Sequence, residues 1–332
     1  MKLIDLHCDT FSRMHEEKIY DIDENNLHID LKKLKKADSF IQVFALFDNK
    51  EITGYNLEEY NKLLDFAFNI IENNQNKFNL IKNYEDIKDN NKQNILVSTE
   101  DMGSIRENLE NIKYYYNRGI RMGSITWNHE NSLAYPNTMN PKLGLKKFGK
   151  EAVEYMESIG MIIDVSHLND GGFYDVADIT KEPFIASHSC SRTLCSNSRN
   201  LKDDMIKIIA GKGGIIGINF YSLFLSKLDK KTEEMIHQLI KEKNYTKADS
   251  LIYNFTSKND DIIKHISHIR NIGGSEAIAF GSDFDGISCN LEMKDISGIQ
   301  TLIPLLKKSG FSENEIEKLY YKNALRLFKD IL

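Results

Sequence analysis

The sequence predicts an α/β protein, a TIM-type (β/α)8 barrel with helical insertions. Eight short runs of apolar and β-branched residues, bounded by turn residues, alternate with segments of helical periodicity. Several of these runs are apolar almost throughout, such as 161–165 and 214–218, which is typical of parallel strands buried on both faces. Eight parallel strands that alternate with helices are the elements of this barrel.

The predicted strands follow one another along the whole chain, with room for a helix between them. They cover residues 2–7, 39–46, 94–99, 122–126, 161–165, 184–187, 214–220 and 277–281. Apolar residues spaced three and four apart predict helices at 57–73, 147–158, 260–271 and 313–332. Two longer intervals, 47–93 and 221–258, are charged and helical in pattern, and they are predicted to be insertions at the rim of the barrel.

Composition indicates one globular domain over residues 1–332. The chain is 41% hydrophobic and 28% charged, contains only 4 prolines, and shows no fixed-period repeat or linker. Its formal charge of −6 arises from 49 acidic and 43 basic residues, and the lysine-rich patches are interleaved with acids. Because binding to phosphates usually needs a concentrated basic face, nucleic acid is not an expected partner.

The chain is predicted to be cytoplasmic, without a membrane segment. The first strand begins at the N-terminus with no leader pattern before it, and no window reaches the roughly 20 apolar residues of a spanning helix. The cysteines Cys8, Cys190, Cys195 and Cys289 lack paired spacing, so reduced thiols are expected rather than disulfides. Cys8 and Cys190 lie beside candidate metal ligands, but a role as small core residues is the favoured interpretation.

Candidate metal ligands stand at the ends of several predicted strands. His7 and Asp9 close the first strand two residues apart, a spacing that directs strand side chains to the same side. Further candidates follow other strands, namely Glu100, His167, His188 and Asp283. Since the carboxyl ends of the strands in this barrel surround one active-site face, these residues are expected to converge there.

The donor set favours zinc. Three histidines with two or three carboxylates form a mixed nitrogen and oxygen set, which suits zinc better than magnesium or calcium. Five ligands also exceed the needs of one ion. With one carboxylate shared, they would hold two Zn²⁺ about 3.5 to 4 Å apart, with a bridging hydroxide as the nucleophile.

These residues resemble the membrane or renal dipeptidases, a family within the metal-dependent amidohydrolase barrels. The similarity spans nearly the whole chain in the family's order. The matching segments are Asp-Leu-His-Cys-Asp at 5–9, Asp-Val-Ser-His at 164–167, Ser-His-Ser at 187–189, Ser-Arg-Asn at 198–200 and Gly-Ser-Asp-Phe-Asp-Gly at 281–286.

The resemblance implies a role for each matching residue. His7 and Asp9 would bind one zinc, His167 and His188 the other, and Glu100 would bridge them. Asp283 matches the family's catalytic acid and base. Arg199 matches the arginine that binds the terminal carboxylate of the substrate, a task suited to a guanidinium fork. The implied substrate is a dipeptide, with a D-residue tolerated at its C-terminal position, and the family's expected assembly is a homodimer.

The sequence departs from the family pattern in two places. Glu100-Asp101-Met102-Gly103 stands where the mammalian pattern has Glu-Gly-Gly. The family's substrate-binding histidine falls on Trp127, and His129 is either its replacement in polarising the carbonyl or an ordinary loop residue. Tyr221, after the seventh strand, either lines the substrate pocket or packs in the rim.

Other interpretations remain open at this point. Arg199 could pair on the surface with Asp203 or Asp204, and Asp285 could act in place of Asp283, although Gly286 after it indicates a turn. The remaining histidines, namely His15, His28, His237, His265 and His268, are expected on the surface or in the core. Alternative functions are an N-acyl amino acid deacylase, a lactonase, or a non-catalytic barrel that binds a ligand.

Overall fold

The central sheet is parallel and curves into a barrel. The computed structural model describes residues 1–332, except for the side chain of Tyr245. The strands are β1 Leu3–Asp5, β2 Ser39–Phe47, β3 Phe78–Leu80, β4 Gln93–Glu100, β5 Ile120–Ser124, β6 Ile162–Asp164, β7 Ile216–Ile218 and β8 Ile278–Phe280. Their order in the sheet is β6-β5-β4-β2-β1-β8-β7, and β3 is an additional strand that pairs with β4.

The segment 184–187 closes the barrel between β6 and β7. Val165 donates its backbone N–H to the Ile185 carbonyl at 2.8 Å, and Gly217 donates to the Ala186 carbonyl at 2.9 Å. A continuous strand was predicted here, and this is wrong in detail. The segment forms isolated parallel bridges, because only one of its residues pairs with the neighbouring strand on each side. The predicted TIM-type barrel is confirmed.

The strand boundaries differ from their predictions by one or two residues, and the differences at β1 and β5 are described here. The predicted strand 2–7 ends its ladder with β2 at Asp5, while Asp283 still donates its N–H to the His7 carbonyl at 3.1 Å. His7 and Asp9 therefore lie beyond the strand, and Asp9 directly precedes a helix. The strand predicted at 122–126 begins two residues earlier, at Ile120. β3 was not predicted, because its three residues are too short to show alternation.

Helices cover the outside of the barrel and fill the insertions. The α-helices are α1 Thr10–Glu17, α2 Leu31–Lys36, α3 Lys50–Thr53, α4 Leu57–Asn73, α5 Leu109–Arg118, α6 Lys147–Ser158, α7 Asp170–Ile179, α8 Asp203–Gly211, α9 Ser222–Leu225, α10 Lys230–Lys241, α11 Tyr245–Tyr253, α12 Asn259–Gly273, α13 Leu302–Lys308, α14 Glu313–Glu317 and α15 Asn323–Ile331. Short 3-10 turns lie at Tyr84–Asp86, Gly103–Ile105, Ser275–Ala277 and Ile296–Thr301. Among the described residues, no helix combines the length and apolar character needed to cross a bilayer.

Most helix predictions agree with the structure. α4 and α6 have the predicted bounds, and the Asn56 side chain caps α4 by accepting the backbone N–H of Glu58. The helix predicted at 313–332 is interrupted by a π-helical turn at Lys318–Lys322. Apolar spacing did not reveal this interruption, because one π turn hardly alters the periodicity. The first predicted insertion contains β3 in addition to its helices.

One hydrophobic cluster fills the interior of the barrel. It takes buried residues from every position around the barrel, most of them near the start of a strand. They are Ile4, Leu6, Ile41, Val43, Leu96, Met122, Ile162, Ile185, Ile215 and Ala279. Ala324, Leu327 and Phe328 of α15 belong to the same cluster, so this helix forms the floor of the barrel. A larger cluster lies between the strands and the surrounding helices.

We predict that Leu327→Ala lowers the free energy of unfolding by about 2–5 kcal/mol, because it leaves a cavity in a fully buried floor. The exposed Lys329 lies on the same helix, and Lys329→Ala should change the free energy of unfolding by less than about 0.5 kcal/mol. Urea unfolding of both variants measures the difference. Equal effects would contradict the assignment of α15 as the floor.

Candidate metal centre and active site

Three of the predicted ligands form a first group at the carboxyl ends of β1 and β4. The His7 Nε2 atom lies 3.3 Å from Asp9 Oδ2 and 3.5 Å from Glu100 Oε2. All three side chains are buried. Their ligand atoms are close enough to one another to hold a metal ion.

A second group uses the other oxygen of the same glutamate. Glu100 Oε1 lies 3.0 Å from His167 Nε2 and 3.5 Å from His188 Nε2. Glu100, His167 and His188 also satisfy the spacing of a metal site. The two groups therefore share one carboxylate, with one oxygen directed to each, which is the arrangement of a bridging ligand.

Asp283 borders both groups. Its Oδ1 lies 3.9 Å from His7 Nε2, and with His7 and His188 it forms a third set at metal-ligating spacing. Its Oδ2 accepts a hydrogen bond from Asn219 Nδ2 at 2.8 Å. Burial raises the pKa of Asp283 to about 6, and the Glu100 charge acts in the same direction, although His7 opposes both. Asn219 was not predicted, because nothing in its sequence context distinguishes it.

The chemistry of these groups fits divalent cations. Among the described residues, His7 Nε2 and both carboxylate oxygens of Asp9 are buried without a hydrogen-bond partner. Buried polar atoms are normally satisfied, so their grouping fits the binding of a cation. Burial and the nearby Arg199 charge lower the pKa of His167 to about 4, and burial also lowers that of His188. Both imidazoles are thus neutral at pH 7, the form that binds metals.

Hydrogen bonds behind the histidines fix their orientation. Ser187 Oγ donates to Asp164 Oδ2 at 2.5 Å, so it accepts from His188 Nδ1 at 2.7 Å and leaves Nε2 free for a metal. On the other histidine, His167 Nδ1 lies 3.2 Å from Asn128 Oδ1. Asp164 and Ser187 belong to segments that match the family pattern, but no role was predicted for them.

A pocket of about 420 Å³ opens above these ligands. Trp127 and Tyr221, two predicted substrate-binding residues, line it together with Phe47 and Phe224. The Trp127 ring lies 4.6 Å from Phe47 and 6.2 Å from His167, measured between ring centroids. His129 is not among the lining residues, and its ring packs 5.8 Å from Trp127. The structure therefore brings Trp127, rather than His129, to the pocket.

Arg199 is buried beside the ligands and does not form the surface pair considered above. Its guanidinium donates to Ser189 Oγ at 2.8 Å and to the His188 carbonyl at 2.9 Å. Asp203 instead binds His268 at 2.8 Å, and Asp204 accepts from Tyr174. Arg199 Nε has no hydrogen-bond partner among the described side chains.

Asp285 lies on the rim of the pocket. Its Oδ2 accepts from Thr10 Oγ1 at 2.6 Å and its Oδ1 from the His28 backbone N–H at 2.7 Å. The metal-ligating groups of the described chain include Asp283 but not Asp285. Asp285 and Gly286 form a turn, as the sequence indicated, and Asp283 and Asp285 have φ values of 62° and 68°.

Gly286 is also required for a steric reason. A Cβ atom at this position would collide with the carboxylates of Asp9 and Asp283.

The cysteines are buried core residues. Cys8 and Cys190 hydrogen-bond to backbone carbonyls, and the described residues form no disulfide.

A parallel α/β barrel with buried histidines and carboxylates at the carboxyl ends of its strands defines a metal-dependent hydrolase. The sequence pattern of the membrane dipeptidase family, peptidase family M19, matches residues 1–331, and the chain belongs to this family. It is thus a metallo-dipeptidase, a hydrolase acting on peptide bonds, as predicted.

Individual relatives agree with this membership. An uncharacterized dipeptidase of Schizosaccharomyces pombe is 26% identical over 328 residues, covering 92% of this chain and 73% of the relative. An uncharacterized protein in the pqqA 5′ region of Klebsiella pneumoniae is 29% identical over 226 residues, covering 66% of this chain and 75% of the relative.

Two solved structures show the same fold. A metallopeptidase from Rhodobacter sphaeroides, liganded with a phosphinate mimic of the dipeptide L-Ala-D-Ala, superposes with a TM-score of 0.84 at 19% identity, covering 100% of this chain and 99% of the other. A probable dipeptidase, PvdM, from Pseudomonas aeruginosa gives a TM-score of 0.84 at 20% identity and covers 97% of each chain.

We predict that Gly286→Ala lowers metal affinity about 10- to 100-fold, because the added methyl group displaces the Asp9 and Asp283 carboxylates. Gly211→Ala is the matched control, since a Cβ there meets nothing within 4 Å. Competition with a chelator measures both affinities. Unchanged affinity in Gly286→Ala would show that these carboxylates do not need their present positions.

Proposed function

We propose that this chain hydrolyses dipeptides with two zinc ions, one held by His7 and Asp9, the other by His167 and His188, with Glu100 shared between them. The observation that carries the proposal is the division of the Glu100 carboxylate, whose two oxygens face two different ligand groups. The unpartnered atoms of His7 and Asp9 support the first position. When bound, such a pair of ions supplies a nucleophilic water at neutral pH and polarises the scissile carbonyl.

The surrounding side chains support the remaining steps. Asp283, held at Oδ2 by Asn219, is the group proposed to take the proton of the attacking water and deliver it to the leaving amine. Arg199 is proposed to bind the terminal carboxylate of the substrate. Its buried guanidinium contacts Ser189 and the His188 carbonyl, which set its orientation, and its charge is not neutralised by a carboxylate pair.

The substrate is proposed to be a free dipeptide, including one with a D-residue at the C-terminal position. The pocket of about 420 Å³ lies within the range of small-molecule sites. The Rhodobacter sphaeroides metallopeptidase with the same fold is liganded with a mimic of L-Ala-D-Ala, which supports the choice of stereochemistry.

His188→Ala tests the proposal directly. We expect this variant to lose bound zinc and dipeptide turnover together, because His188 supplies a ligand atom 3.5 Å from Glu100 Oε1. Metal content and turnover are measured on the same preparations, with dipeptides, N-acyl amino acids and lactones as substrates. His265→Ala is a control, since that histidine binds the Leu225 carbonyl outside the ligand groups. Turnover of N-acyl amino acids or lactones alone would contradict the dipeptidase assignment, and full metal content in His188→Ala would contradict the ligand set.

The acid limb of the pH profile tests the role of Asp283. Burial raises the pKa of this carboxyl to about 6, and bound cations would lower it again. Only the deprotonated form accepts a proton, so kcat/KM should decrease as the pH falls through about 6 or below, by about tenfold for each pH unit. Asp283→Asn should remove most activity while retaining metal. An unchanged acid limb in residual Asp283→Asn activity would assign the limb to another group.

A further inference from the structure

The carboxylate of Asp101, directly after Glu100, ties three segments together. Tyr55 donates its hydroxyl hydrogen to Asp101 Oδ2 at 2.6 Å, and Asn131 donates from Nδ2 to Oδ1 at 2.7 Å. The Gly103 backbone N–H also donates to Oδ1, at 2.9 Å. Asp101 is buried, and both of its carboxylate oxygens accept hydrogen bonds from these neighbours, so it acts through them.

Two of the tied segments carry the aromatic rings on one side of the pocket. Tyr55 belongs to the segment that follows β2, and Phe47 is the last residue of that strand. Asn131 belongs to the segment after β5, which also carries Trp127. The rings of Phe47 and Trp127 lie 4.6 Å apart and both line the pocket. We call this pair the aromatic wall.

Tyr55 is held in place by more than one contact. Its φ of 56° lies in the left-handed region, which is costly for a bulky residue and persists only where the surroundings impose it. Its ring packs so closely on Gly103 that a Cβ there would collide with it, and Arg106 Nε donates to its carbonyl at 3.0 Å. The Tyr55–Asp101 bond is therefore part of a built connection between the two segments.

The aromatic wall and the proposed carboxylate site belong to different strands of the barrel. Around the barrel the wall belongs to β2 and β5, whereas Arg199 follows the closing segment 184–187 and its guanidinium lies 5.6 Å from the ring centroid of Phe224, after β7. A dipeptide whose carboxylate lies at Arg199 would extend its N-terminal residue toward the strands that carry the wall. This orientation rests on the proposed function.

We infer that the Phe47–Trp127 wall binds a large apolar side chain on the N-terminal residue of the dipeptide, and that Asp101 is the positioning residue that keeps the two rings together through Tyr55 and Asn131. The substrate class is thus dipeptides that begin with a leucine- or phenylalanine-like residue. A small N-terminal residue would not contact the wall, so its binding would not depend on the position of the two rings.

Kinetics on matched substrates test the substrate class. Zinc-loaded wild-type enzyme should hydrolyse Leu-Ala with a kcat/KM about tenfold or more above that of Gly-Ala, because a buried leucine side chain contributes binding that glycine lacks. Trp127→Ala should remove this preference. Equal kcat/KM values in the wild type, or a preference retained in Trp127→Ala, would overturn the proposed class of substrate.

The positioning role is tested by Tyr55→Phe, which removes only the hydroxyl group. It should raise KM for Leu-Ala about fivefold and leave kcat and the Gly-Ala kinetics unchanged, since the hydrogen bond to the buried Asp101 carboxyl group is lost. Tyr320→Phe is the matched control, because Tyr320 is also buried and its hydroxyl hydrogen-bonds to the Ile299 carbonyl, outside the site. Equal changes in both variants would overturn the role.

Trp127 is the single tryptophan of the chain, so its fluorescence reports on the wall without any assay of activity. We expect acrylamide to quench Trp127 more strongly in Asp101→Ala and in Tyr55→Phe than in the wild type. Asp101→Asn should be quenched less than Asp101→Ala, because asparagine keeps one acceptor and tolerates the φ of 66°. Unchanged quenching in folded Tyr55→Phe and Asp101→Ala would overturn the positioning role.

The two readouts separate the two proposals. If quenching changes as expected but zinc-loaded wild type hydrolyses no dipeptide, the proposed function fails and the positioning of Trp127 stands. If dipeptides are hydrolysed and quenching does not change, the proposed function stands and the role of Asp101 fails.

Discussion

The candidate site depends on the sharing of one buried carboxylate between two groups of ligands. Glu100 faces His7 and Asp9 with one oxygen and His167 and His188 with the other, and displacing it would disturb both groups. Its position is fixed by the sheet, where β2 and β4 pair Phe47 with Glu100 at the end of the ladder. Charges oppose burial here: burial alone would raise the pKa of Glu100, but His7 and the other histidines hold it well below its usual range.

The sequence was most informative about residues that end strands, because a parallel barrel brings those positions to one face. The five proposed ligands and Asp283 could therefore be grouped from the sequence. Asn128 and Asn219 could not, since a polar residue in a loop becomes significant only when its partner is known. The irregular segment 184–187 and the π turn at Lys318–Lys322 were also beyond prediction, because tertiary contacts determine them and local pattern does not.

Several residues in and beside the site adopt a left-handed backbone conformation, which is unfavourable for residues other than glycine. His167, Asp283 and Asp101 have φ values of 68°, 62° and 66°. Such residues cost on the order of 1–3 kcal/mol each and persist where the surroundings determine them. At Asp101 the determining contacts are hydrogen bonds, and at Asp283 they are the Asn219 amide and the backbone bond to His7. These hydrogen bonds thus offset the unfavourable backbone conformation and fix the orientation of the polar groups.

Closure of the barrel has a consequence for metal acquisition. All five proposed ligands precede residue 189, yet the rings of His7 and His188, with centroids 3.7 Å apart, lie on opposite sides of the gap that β7 and β8 fill. During synthesis, all of these side chains therefore emerge before β7 and β8 can complete the barrel and bring them together as one cluster. Cations that bind only the closed form would shift the folding equilibrium toward it, so ion supply and maturation of the polypeptide become thermodynamically linked.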